Sequence, residues 1–87
     1  MANYKIRVKR SVARDLRRIP NDDVERMLQR ITELSDNPRP PGCEKLSTQE
    51  RYRVRQGNYR IVYEIIDAEL VVIVVKVGHR GDVYKRT

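Results

Sequence analysis

The sequence has no tryptophan or phenylalanine, one cysteine, one histidine and no long apolar run. Cys43 is alone and cannot form an intramolecular disulfide, and His79 has no partners at metal-ligand spacing. The longest apolar run, residues 70–75, is far below the ~20 residues that cross a bilayer. The opening MANYKIRVKR contains no apolar signal-peptide region. We therefore expect no metal, no cofactor, no membrane span and a cytoplasmic location.

Positive charge is what the chain has in excess. Its 87 residues carry a net charge of +7, with a pI of about 10.0, and 36% of them are charged. This length predicts a single domain over residues 1–87 with a small core. The charge indicates a polyanionic partner, either nucleic acid, an acidic protein or an acidic membrane surface. The membrane is least favoured, because no segment resembles a basic amphipathic helix with bulky aromatics.

The first half of the chain predicts a strand and two helices. Tyr4, Ile6 and Val8 alternate with basic residues, which is typical of a half-buried strand. A first helix should begin at residue 10 or 11 and end before Pro20. A second should run from residue 21 or 22 to the Asn37-Pro38 pair. Its apolar stripe, assigned to the core, consists of Val24, Met27, Leu28, Ile31 and Leu34.

The second half predicts three strands after a proline-rich linker, NPRPPGC, at residues 37–43. The strands should span residues 51–56, 59–66 and 70–77, joined by turns at residues 57–58 and 67–69. The order β-α-α-β-β-β predicts an α+β fold, in which a helix hairpin covers one face of a small antiparallel sheet.

The stretch RYRVRQGNYR, residues 51–60, places arginines at alternate positions. Arg51, Arg53 and Arg55 should share one face of a strand, and the turn should bring Arg60 beside Arg55. A patch is predicted from these residues and from two in the tail that can fold back: Arg53, Arg55, Arg60, Arg80 and Tyr84. The alternative is a solvated face that protects a sheet edge. We favour that alternative for Arg51. We also favour a solvated face, with a general attraction to RNA as a secondary effect, for Lys5, Arg7, Lys9, Arg17 and Arg18.

Several segments of the chain resemble those of a known protein family. YRVRQGNYRIVYEI, LVVIVVKVGHRGDVYKR, the linker NPRPPGCEKLS and the ending VGHRxxVY are similar in order and spacing to toxins of the RelE/ParE superfamily, especially its RelE branch. The resemblance covers nearly the whole chain. It implies a toxin of a type II toxin–antitoxin system that cleaves mRNA in the ribosomal A site.

The resemblance also implies roles for individual residues. Catalytic roles carry over to Arg55, Arg60, Arg80 and Tyr84. RNA contacts are implied for Arg51, Arg53, His79, Lys85 and Arg86. Some RelE toxins have lysines at the positions of Arg53 and Arg55, and arginine is a very poor base. The general base is therefore left open between Tyr84, His79, Glu64 and a group of the ribosomal RNA.

Two rival functions remain open from the sequence. One is a ParE-like toxin that inhibits DNA gyrase without nuclease activity, and the other is a nucleic-acid-binding module without toxicity. Either toxin interpretation implies a cognate antitoxin, acidic where it meets the basic patch. Operator DNA would then be bound only through that antitoxin.

Overall fold

The computed structural model describes residues 3–46 and 50–79 and has an α+β fold, as predicted. Strand β1 (Lys5–Val8) precedes helices α1 (Arg10–Leu16) and α2 (Asn21–Asp36). Four strands follow: β2 (Glu44–Lys45), β3 (Arg51–Gln56), β4 (Tyr59–Ile66) and β5 (Val71–His79). They form one five-stranded sheet in the order β1-β5-β4-β3-β2.

The sheet is mixed, whereas the sequence predicted only antiparallel pairing. Strands β2 to β5 pair antiparallel, but β1 lies parallel to β5, with Lys5 aligned to Val71. The helix hairpin and linker are long enough for this crossover, and β5 thereby becomes an inner strand. Its apolar run of valines and Ile73 fits an inner strand, and Val72, Val74 and Val77 belong to the core beneath the helices. The two-residue β2 was not predicted, because a pair of residues shows no periodicity.

The helices begin close to the predicted positions. Helix α2 starts directly after Pro20 and carries Asp22 and Asp23 in its first turn, where carboxylates stabilise the positive end of a helix. Asn37 ends it. No helix in residues 3–46 or 50–79 is long and apolar enough to cross a membrane.

The core stripe of α2 is narrower than predicted. Met27, Ile31 and Leu34 are buried, but Leu28 is 45% exposed, so its assignment to the core was wrong. One helical step rotates a side chain by about 100°, which carries Leu28 out of the row formed by Met27, Ile31 and Leu34.

Two turns set the register of the last three strands. Gly57 has φ +62°, a conformation that glycine adopts without a steric cost, and Gln56 faces Tyr59 across this turn. One turn of 3-10 helix over Asp67–Glu69 joins β4 to β5. Leu70 follows it in the left-handed region at φ 53°, so β5 begins at Val71 instead of the predicted Leu70.

Tyrosines take the place of the missing phenylalanine and tryptophan in the core. Tyr63 is fully buried and stacks on Tyr52, with 6.0 Å between ring centroids. The Tyr63 hydroxyl donates to the carbonyl oxygen of Pro38 at 2.6 Å, and burial raises the pKa of this phenol. The bond fastens the proline-rich linker to the inner strand β4.

A polar network joins four separate segments at one corner of the fold. The Arg39 guanidinium donates to both carboxylate oxygens of Asp67, and Asp67 also accepts from Tyr4 at 2.7 Å. Arg39 further bonds Glu50 and the hydroxyl of Tyr52. The hydrogen bonds from Arg39 and then Tyr4 lower the pKa of Asp67 to about 2.

Candidate nucleic-acid interface

The sheet register places four arginines on one face. In the β3–β4 pair, Arg55 lies opposite Arg60, Arg53 opposite Val62 and Arg51 opposite Glu64. Residues directly opposite each other in an antiparallel pair project to the same side. We call the side defined by Arg51, Arg53, Arg55 and Arg60 the arginine face. The helices cover the other side.

The apolar residues of β3 explain this orientation. Tyr52 and Val54 alternate with the arginines and pack into the core beneath the helices. Burying them fixes the register, because a slip of one residue would exchange the two faces. The arginines are therefore held on a rigid strand by the packing of their neighbours.

The four arginines differ in exposure and partners. Arg55 is exposed, whereas Arg53 and Arg60 are only 9% and 4% exposed. Arg53 donates from Nη2 to Glu44 Oε1 at 2.8 Å. Arg51, interpreted from the sequence as a solvated residue, is instead part-buried and donates from Nε and Nη2 to Glu64 Oε2.

Glu44 is a member of this face that the sequence did not reveal. It lies on β2 opposite Arg53, and its exposed carboxylate belongs to the shortest strand of the sheet. The hydrogen bond and charge of Arg53 lower the pKa of Glu44, and the charges of Arg55 and Arg60 lower it further. Glu44 is thus a carboxylate within the field of three arginines. Periodicity could not identify it, since its strand has two residues.

The side chain of Glu64 projects to the arginine face. The sequence left Glu64 open as a general base, and that role requires this orientation. Glu64 follows Arg60 and Val62 at alternate positions of β4, and its carboxylate is bonded by Arg51.

His79 is not brought to the arginine face. On β5 it lies opposite Tyr59, whereas Gly78 lies opposite Arg60. His79 is therefore on the side of Tyr59 and the core, with its ring edge-on to that tyrosine at 5.6 Å between centroids. Strand alternation separates the imidazole from Arg55 and Arg60. Four further residues assigned from the sequence, Arg80, Tyr84, Lys85 and Arg86, lie outside the described residues.

The architecture and the arginine face together define a small α+β protein built around a basic sheet surface, and comparison with known proteins gives its family. The family model for the ParE toxin of the type II toxin–antitoxin system parDE matches residues 6–84. The chain therefore belongs to this family of toxins, within the RelE/ParE superfamily.

Individual relatives carry RelE names. The chain is 32% identical to toxin RelG of Mycobacterium tuberculosis, over 95% of this chain and 98% of that protein. It is 31% identical to the mRNA interferase toxin RelE of Escherichia coli K12, over 69% and 67%. The crystal structure of an archaeal RelE–RelB complex from Pyrococcus horikoshii OT3 superposes with a TM-score of 0.82 at 26% identity, covering 91% of this chain and 97% of that one.

Proposed function

We propose that this toxin is a metal-independent endoribonuclease of the RelE kind, which cleaves mRNA in the ribosomal A site and so inhibits translation. The observation that carries the proposal is the placement of Arg53, Arg55 and Arg60 on one rigid sheet face. The name of the E. coli relative, an mRNA interferase, supports it.

RNA supplies the nucleophile for this reaction. The 2′-OH attacks the adjacent phosphorus, the bond to the 5′-oxygen of the next nucleotide breaks, and a 2′,3′-cyclic phosphate and a 5′-OH result. A base takes the proton of the 2′-OH, and an acid gives one to the leaving oxygen. The protein must also align the attack and stabilise charge on the phosphorane.

Arginine suits the stabilising role. Its planar fork binds two phosphate oxygens at once and keeps its charge at any physiological pH. We assign first contact to Arg55, because it is exposed. Arg60 lies directly across the strand pair and would hold the phosphorane. Arg80 would act with Arg60, and Tyr84 would stack on a base or transfer a proton.

Access to two of these arginines requires a change at the surface. Arg53 and Arg60 are too little exposed to meet a phosphate directly. Arg53 is bonded to Glu44, so a phosphate must compete with this carboxylate. Glu44, once displaced, would stand next to the bound RNA as a second carboxylate candidate for the general base beside Glu64. We infer this role for Glu44 from its position among the arginines.

The proposed function includes a protein partner. In the archaeal relative the toxin is in complex with RelB. We propose that a cognate antitoxin binds this chain as well, covers the arginine face with acidic side chains and alone recognises operator DNA. Toxin and antitoxin would act in the cytoplasm, where the ribosome and mRNA are. An antitoxin segment of this type can fold as it binds.

Primer extension on a defined mRNA in a reconstituted translation reaction tests the proposal. We expect cuts within A-site codons that require ribosomes and are lost with Arg55→Ala. Arg55 is exposed, so this variant should fold normally. An intact message would contradict the proposal. Supercoiling by purified DNA gyrase would then be assayed, since the matching family model is that of ParE.

A further inference from the structure

Positive charge is distributed unevenly along the chain. Residues 1–18 contain seven basic side chains and one acidic side chain. The rest of the chain contains twelve basic and eleven acidic side chains. The first eighteen residues thus carry +6 of the net charge of +7. All seven basic side chains lie within residues 5–18, which contain β1, α1 and the turn that follows α1.

The basic side chains also differ in their partners. Arg26 and Arg30 of α2, Arg39 of the linker and Arg51 and Arg53 of β3 each form an ion pair with a carboxylate. The seven basic side chains of residues 5–18 are all exposed. None of the seven pairs with an acid among the residues that the structure describes.

Two of these seven charges lie on β1, and four lie on α1 or directly after it. Arg10, Arg14 and Arg17 recur at spacings of four and three, which is one side of a helix, while Val12 packs into the core. Arg18 follows them. We call these six exposed side chains of neighbouring elements the basic flank: Lys5, Arg7, Arg10, Arg14, Arg17 and Arg18.

The basic flank adjoins the arginine face. Arg7 of β1 pairs with Ile73 of β5, which in turn pairs with Glu64 of β4. Glu64 pairs with Arg51 of β3, so Arg7 and Arg51 lie at the two ends of a row of residues that crosses four strands. Three strand spacings separate their Cα atoms by roughly 14 Å.

Helix α1 is joined to the sheet by an ion pair near the end of β5, where Lys76 Nζ lies 3.3 Å from Asp15 Oδ2.

We propose that the basic flank binds the sugar-phosphate backbone of a folded RNA, separate from the strand that lies on the arginine face. The inference rests on the proposed function in one respect: the folded RNA is then ribosomal, and the flank orients the toxin before cleavage. Like charges at helical spacing repel each other in the free protein, and neutralisation by phosphates removes that repulsion.

Nucleic acid fits the flank better than an acidic protein does. Protein interfaces are anchored by buried aromatic side chains and are depleted in charged residues at their centre. Nucleic-acid interfaces are strongly positive. The flank contains no aromatic side chain, and Val8 is the one large apolar side chain exposed among residues 3–18.

The test compares two double variants that each remove two arginines. Arg14→Gln/Arg18→Gln neutralises the flank, and Arg26→Gln/Arg30→Gln removes ion-paired arginines of α2 as a matched control. Binding to E. coli 70S ribosomes and to an RNA duplex of arbitrary sequence is measured between about 50 and 200 mM salt. Thermal melting checks that both variants remain folded at the assay temperature.

We expect the flank variant to bind about tenfold more weakly, with the slope of log K against log salt reduced by about 2. Its KM for ribosomes should rise while kcat is unchanged, and the control should change at most about twofold. Unchanged affinity and slope would overturn the proposal. So would a loss confined to antitoxin binding, which would assign the flank to the protein partner.

The two proposals fail in different ways. If the parent protein binds RNA in this salt-dependent manner, loses affinity in the flank variant and never cleaves a message, the flank is supported and the nuclease is not. If the parent cleaves and the flank variant keeps its KM, the nuclease stands and the flank is refuted.

Discussion

Arg53 and Glu44 lie directly opposite each other on β3 and β2, with Arg53 Nη2 2.8 Å from Glu44 Oε1. The carboxylate takes the position that a phosphate oxygen would take in the proposed complex. Because Glu44 is exposed and sits on a two-residue strand at the sheet edge, it can move aside. The pair thus gives Nη2 of a nearly buried guanidinium a hydrogen-bond partner of opposite charge.

Replacing Glu44 by glutamine should strengthen RNA binding about threefold to tenfold, because a neutral amide competes with phosphate less well than a carboxylate. The measurement is fluorescence anisotropy with an RNA whose 2′-oxygens are methylated, so that it cannot be cleaved. Glu33→Gln, which removes the partner of Arg30 on α2, is the control. Equal or weaker binding by Glu44→Gln would show that Glu44 does not compete with RNA.

Arg60→Lys keeps the positive charge and loses the planar fork. We expect cleavage to fall on the order of 100-fold, the cost of removing one donor that stabilises transition-state charge, while affinity for the methylated RNA changes less. Single-turnover cleavage on ribosomes measures the rate, and urea denaturation checks the fold, because Arg60 is buried. Arg26→Lys on α2 is the matched control. A rate like that of the parent would remove Arg60 from the proposed phosphate clamp.

Asp67→Asn should lower the melting temperature near neutral pH, and the difference from the parent should shrink in acid. The folded-state pKa of Asp67, about 2, lies below its usual value of 3.8. The carboxylate therefore stabilises the fold above about pH 4, and this contribution is lost as the pH falls towards 2. Melting curves of both proteins from pH 7 to pH 2 measure it. Asp36→Asn, an exposed substitution at the end of α2, controls for the change in net charge. A difference independent of pH would show that ionisation of Asp67 is not the cause.

Met27→Ala and Leu28→Ala change neighbouring residues of α2 and should differ sharply. Met27 is fully buried, so its truncation should cost about 2 to 5 kcal/mol. Leu28 is nearly half exposed, and its truncation should cost about 0.5 kcal/mol or less. Urea denaturation at neutral pH gives both values. Comparable losses would mean that Leu28 packs against the core after all.

The elements were predictable because local chemistry determines them. Pro20 and Asn37 bound α2, and Gly57 bounds the hairpin of β3 and β4, whose limits were predicted to the residue. Leu28 was misplaced because its spacing fits a wide apolar stripe, and the width of the buried stripe depends on what packs against it.

The parallel pairing of β1 and β5 could not be read from the sequence, since it depends on where the helix hairpin returns the chain. The site shows the same limit. Alternation along β3 grouped Arg53 with Arg55, and the tight turn added Arg60. The carboxylate that pairs with Arg53 belongs to Glu44, whose strand is too short to show a pattern. The side occupied by His79 depends on which β5 residue faces Arg60, and that residue is Gly78. Cross-strand register is a long-range property that alternation within one strand does not contain.

The pairing of β1 with β5 also has a consequence during synthesis. Lys5 and Val71 are nearly at opposite ends of the described chain, so β1 stays without its hydrogen-bonding strand until most of the protein has been translated. The same strand β5 supports β4, which carries Arg60. An incomplete chain therefore cannot assemble the sheet that aligns the arginines. The arginine face is therefore completed only after β5 has been synthesised.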